Sequence, residues 1–218
     1  MKNLCDMDPR NEGLTLEHFE KAINKEVPIS NKVPEKICEM LELAKKICFY
    51  AYYEYDFYWL CNINLFLFTE TAIKERFLDA LPRECKLIKK EQSRTMIKDI
   101  NIYKFLRERW RIVGYEDVDA SLKSILKWLK KEKIIPKRID NDRQLEAISN
   151  LRNSAAHLHG KSVYNFAMAI PILWVTIDFV NCLFDTECHD KEPECIKRQR
   201  EDYERHMKEF EELDKTTE

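Results

Sequence analysis

Three residues in the segment 145–157 combine a fixed positive charge, an amide and a titratable ring: Arg152, Asn153 and His157. On a helix turning about 100° per residue, Leu145, Ile148, Ala155 and Ala156 fall within about 60° of Arg152. Arg152 then points out of the middle of an apolar stripe. Asn153 and His157, four residues apart, stack one turn from each other on the polar face with Glu146, Ser149 and Asn150. An arginine among apolar side chains is costly unless paired, because its guanidinium keeps its charge. It is either bridged to a neighbouring helix, or snorkelling along it, or it is a functional cation. Histidine titrates near neutrality and can take or give a proton. The arginine fork fits phosphate or carboxylate oxygens. These parts suit proton transfer beside a stabilised anion. Ala155 and Ala156 leave room for another backbone, as at a helix–helix or subunit contact.

The elements that must position these residues read as helices. The 218 residues include 3 Gly and 7 Pro, with abundant Lys, Glu, Leu and Ile. So little glycine argues against a hairpin-rich or barrel fold, and Gly13, Gly114 and Gly160 are too far apart for a phosphate-cradling loop. Residues 1–13 read as a disordered N-terminus. A helix is expected over 14–25, with Thr15 as its N-cap and Val27-Pro28 as its stop. From Pro34 to Leu81 no Gly or Pro intervenes, which predicts one very long helix or two in series. Its middle is dense in aromatics from Phe49 to Trp59, which implies burial on several sides. Pro82 ends it. Residues 83–96 read as loop or frayed helix, and 97–112 as helix ending near Gly114. Asp119 or Ser121 caps a helix over 122–133, and Pro136 breaks it. Asn141 or Asp142 caps the helix to about His157, and Gly160 supplies its C-terminal turn. Ser162 caps an apolar helix to about Asp185 that carries Pro171 as a kink. Pro193 opens a charged helix to Leu213. Residues 14–218 read as one helical domain.

The 8 cysteines have no secretory signal before them and sit mostly on apolar faces, so they read as reduced, buried thiols of a cytoplasmic protein. Cys182, Cys188, His189 and Cys195 lack the C-x2-C pair of a zinc site, so no metal and no cofactor is expected. The apolar stretch 47–68 contains Glu54, Asp56, Asn62 and Asn64, a poor membrane span, and no membrane partner is expected. The net charge of −2 conceals an asymmetry. Between Arg83 and Arg143 stand 18 Lys and Arg against 10 Asp and Glu, while the rest of the chain holds 19 against 29. This basic stretch leads into the segment of Arg152 and His157. It suits a phosphate backbone, with Lys104, Arg107, Arg109, Arg111, Lys127, Lys130 and Lys131 as candidate contacts. Trp110, between two arginines, is either a base-stacking platform or a core residue.

The run Arg152-Asn153-Ser154-Ala155-Ala156-His157 is a form of the R-x4-6-H motif and resembles the HEPN family of all-helical domains. A Leu before the Arg, small residues before the His, a following Gly and then an apolar helix agree with that family. So does the closing segment Ile177-Asp-Phe-Val-Asn-Cys-Leu-Phe184. The resemblance covers residues 141–185. It implies an all-α bundle with its motif-bearing core at about 97–185. The long aromatic segment 34–81 would extend a dimer interface, and 193–214 would add a charged helix. It further implies a metal-independent endoribonuclease: His157 as the catalytic histidine, Arg152 as the conserved arginine, Asn153 as the polar residue beside it, and His159 as an accessory group. RNA is the implied substrate. A homodimer would bring two motif sets together, and an antitoxin or regulatory protein is a further implied partner. The implied settings are host defence or a toxin–antitoxin system. A non-catalytic helical interaction or nucleotide-binding module of the same family is the alternative.

Overall fold

The computed structural model describes residues 6–24, 26–82, 84–89, 92–97, 106–115, 118–139 and 165–216. Six helices and one small sheet lie among them: α1 (Leu16–Asn24), α2 (Glu35–Tyr50), α3 (Phe57–Ala80), β1 (Glu84–Lys89), β2 (Gln92–Ile97), β3 (Arg111–Ile112), α4 (Leu122–Lys131), α5 (Phe166–Phe184) and α6 (Glu194–Thr216). The protein is mostly helical, but not all-α.

The segment 34–81 resolves into two helices, α2 and α3, packed against each other. Ile37, Leu41, Ala44 and Cys48 recur at helical spacing on α2 and are wholly buried; so are Tyr58, Cys61, Leu65, Phe68 and Ala72 on α3. No breaker separates the two helices, so the break comes from tertiary contacts. The N-terminal strap supplies them. Asn11 Nδ2 donates to the carbonyls of Ala51 (2.8 Å) and Tyr52 (3.1 Å), and the Asp8 N–H donates to Tyr52 as well (3.0 Å). The Tyr58 hydroxyl donates to Asn11 Oδ1 at 2.9 Å. These bonds satisfy carbonyls that a continued helix would have used itself. Arg10 grips Asp8 through two bonds of 2.9 Å and covers the Tyr55 ring at 4.3 Å. Residues 8–11 are therefore an ordered clasp with Asp8 and Asn11 buried, where the sequence reading has a disordered N-terminus.

The expectation of loop or frayed helix over 83–96 is overturned by an antiparallel hairpin. β1 pairs with β2 from Glu84↔Ile97 to Lys89↔Gln92, and with β3 through Leu87↔Ile112 and Ile88↔Arg111. The alternation in Glu84-Cys-Lys-Leu87 sends Cys85 and Leu87 inward and Glu84 and Lys86 outward, a period of two. The helix expected over 97–112 is likewise corrected at both ends. Ile97 belongs to β2. Arg109 adopts a left-handed backbone (φ 66°), and Ile112 is buried in β3 opposite Leu87. Burial against the sheet outweighs helix propensity there.

The remaining helices follow local signals more closely. The His18 N–H donates to Thr15 Oγ1 (3.2 Å) at the start of α1, and Ser121 accepts from the Ser124 N–H (3.2 Å) at the start of α4. α5 is capped by Asn165, which accepts from the Met168 N–H (3.0 Å), and runs through Pro171; Ser162, the expected cap, lies outside the described residues. It is long and apolar enough to cross a membrane, with mean hydropathy 1.8, yet more than half of it is buried inside the protein. Its polar residues make internal bonds. Asn181 accepts from the Ser30 N–H (2.8 Å) and donates to the Pro28 carbonyl (2.9 Å). Asp185, just beyond α5, accepts from Ser30 Oγ (2.8 Å) and Lys32 Nζ (2.7 Å), and the Lys32 bond foremost holds its carboxyl down at about 2. α6 begins directly after Pro193, as expected.

Candidate functional site

Arg152, Asn153, His157, His159 and Lys104 lie outside the described residues. Of the expected RNA contacts that are described, Arg107, Arg109 and Arg111 are exposed on the approach to β3 and in it. Lys127 and Lys131 are exposed on α4, and Lys130 is half-buried there. The buried stripe of α4 (Leu122, Ile125, Leu126, Leu129) turns these lysines outward.

The sheet adds cations that a linear reading treats as loop. Cross-strand partners share a face, so Lys86 lies with Thr95, and Arg111 with Ile88 and Ser93. Lys86, Ser93, Thr95 and Arg111 are all exposed. Trp110 is only 5% exposed and lies under the hairpin, with Arg94 Cζ 5.5 Å and Lys89 Nζ 5.9 Å from its ring centroid. That is a covered core indole carrying cation–π contacts, and the base-stacking alternative for it falls.

Arg138, in the turn at 137–139, has a different environment. Its guanidinium donates to both oxygens of the buried Asp178 (2.6 and 2.8 Å), to Cys182 Sγ (2.8 Å), and to the carbonyls of Cys188 (2.9 Å) and His189 (3.1 Å). Burial disfavours its charge, but the hydrogen bond and charge of Asp178 outweigh this and raise its pKa. The turn at 137–139 is thereby fastened to the C-terminal half of α5. The sequence offers only one hint of this pairing, an aspartate on an otherwise apolar helix.

The cysteine–histidine cluster takes part in the same clamp. Cys182 Sγ also bonds the Cys188 carbonyl (3.4 Å), and His189 Nε2 lies 2.9 Å from the Cys182 carbonyl. Burial, then the nearby Asp178 charge, pushes the Cys182 thiol up to about 12, the opposite of a reactive or metal-binding thiolate. Among the described residues no group of three or more His, Cys, Asp or Glu is placed to hold a metal ion. No family model, curated protein or solved structure matches the chain.

Proposed function

We propose that the chain is a metal-independent endoribonuclease of the HEPN type. The observation that carries the proposal is the run Arg152-Asn153-x3-His157, on a segment whose helical wheel sets a cation in an apolar stripe. RNA cleavage without a metal needs a base for the 2′-hydroxyl, an acid for the departing 5′-oxygen and positive charge on the phosphorane. His157 serves proton transfer, since imidazole changes protonation near neutral pH. Arg152 stabilises the transition state with a charge that does not titrate, and Asn153 orients the imidazole or the phosphate. His159 is an accessory group. The products are a 2′,3′-cyclic phosphate and a 5′-hydroxyl. A homodimer places two such sets face to face, and the setting proposed is host defence or a toxin–antitoxin pair in the cytoplasm.

The basic surface around β3 and α4 supports the reading by offering positive charge to a polyanion. The test is incubation of total RNA with wild type and with Arg152→Ala/His157→Ala in excess EDTA. Cleavage by wild type alone is expected. Equal cleavage by both proteins overturns the assignment of residues. Absence of cleavage by wild type favours the non-catalytic interaction module.

A further inference from the structure

The hairpin brings together cations that stand far apart in the sequence. Lys86 on β1 and Arg111 on β3 share the outward face of one three-stranded sheet ordered β2-β1-β3, while Arg94 on β2 pairs with Leu87 on the opposite face, over Trp110. Arg107 and Arg109 are exposed just before it, at every second residue up to Arg111. Of the six basic side chains among the described residues of 84–97 and 106–115, Lys89 and Arg94 lie on the Trp110 side, which leaves Lys86, Arg107, Arg109 and Arg111 beside the acidic Glu84 and Glu108. Asp119 is the further carboxylate that feels Arg111.

We infer that this sheet, with its approach through Arg107 and Arg109, is a landing surface for the phosphate backbone of single-stranded RNA. The choice of RNA as occupant rests on the function proposed above. The outward side of the sheet carries Lys86, Arg111, Ser93 and Thr95, which are donors for phosphate oxygens. Exposed aromatics are missing from the described part of this surface. Trp110 is buried, and Tyr115 packs edge-on against Trp128 at 5.3 Å. On this described part recognition is electrostatic, so it tolerates sequence and is steeply salt-dependent. A single strand is the fitting substrate because the attacking 2′-hydroxyl must align with the departing 5′-oxygen. The A-form duplex withholds that alignment.

The test is fluorescence anisotropy with a labelled single-stranded RNA of about 20 nucleotides, on the full chain carrying His157→Ala, over a salt titration. Lys86→Gln/Arg107→Gln/Arg111→Gln is compared with Lys46→Gln/Arg198→Gln/Arg205→Gln. The second set removes the same charge from α2 and α6. The sheet variant is expected to bind at least about tenfold more weakly, with a log–log salt slope shallower by about 2. The control set should shift affinity less than about twofold. If circular dichroism shows the triple variant unfolded, Lys86→Gln/Arg107→Gln decides, with a slope shallower by about 1.4. Equal effects of sheet and control sets, no binding at low salt, or stronger competition by duplex than by single-stranded RNA would overturn the inference. Sheet-dependent binding without cleavage by wild type would leave it standing while removing the enzymatic reading.

Discussion

Arginine serves two opposite purposes in this chain. Arg138 is enclosed, with five hydrogen bonds that tie the turn at 137–139 to α5 and to the turn beyond it. Arg107, Arg109 and Arg111 stand on the surface. The difference lies in the partner elements rather than in local sequence. Arg138 meets the buried Asp178, and Arg107, Arg109 and Arg111 are exposed on the approach to β3 and in it. A buried charge is thus structural here, and an exposed row of charges is available to a ligand. The contrast gives a direct experimental handle, because stability and RNA affinity should respond to different arginines.

The largest effect is expected from Arg138→Ala. It leaves the Asp178 carboxylate buried and unpaired and should cost about 3–5 kcal/mol, read by urea denaturation. A loss under 1 kcal/mol would mean that the clamp is incidental. Next comes the N-terminal clasp. Asn11→Ala removes two bonds to the α2–α3 turn and strands the Tyr58 hydroxyl, a loss of about 2 kcal/mol. The opposite sign is expected at Asn62. Both polar atoms of this amide are buried without a hydrogen-bond partner, so Asn62→Leu should stabilise by about 1 kcal/mol. A smaller contrast concerns acid. The Asp185 carboxyl is held at about 2 in the fold, below its ordinary value near 4. Its stabilising contribution is present above about pH 4 and lost as pH falls towards 2. Lys32→Met should therefore flatten the decline of Tm over that window, and an unchanged decline would contradict the assignment. Smallest of all, Arg107→Gln should leave stability within about 0.5 kcal/mol while weakening RNA binding.

The helices announced themselves where local chemistry and packing agree. Thr15, Ser121 and Pro193 mark starts that the structure keeps, and the Leu122–Ile125–Leu126–Leu129 stripe is the buried side of α4. The hairpin was hidden because its buried set is only Cys85 and Leu87 on β1, interrupted by lysines, with no glycine at its turn. Strand pairing depends on a distant partner, here Ile112, and periodicity over six residues is weak evidence for it. The sequence allowed two helices in series over 34–81 but did not place the break, because its cause, Asn11, lies 40 residues upstream of Ala51. For the candidate site, the motif was legible as residue types at a spacing. Lys86 joined Arg111 only through the sheet register.

The central claim is that His157 and Arg152 cleave RNA without a metal. Its most direct test is the chemistry of the new ends. Wild-type protein is incubated with a defined single-stranded RNA in EDTA, and the fragments are weighed by mass spectrometry. The account predicts 2′,3′-cyclic phosphate and 5′-hydroxyl ends that disappear in His157→Ala. Fragments with 3′-hydroxyl and 5′-phosphate ends, or cyclic-phosphate ends formed equally well by His157→Ala, would contradict it.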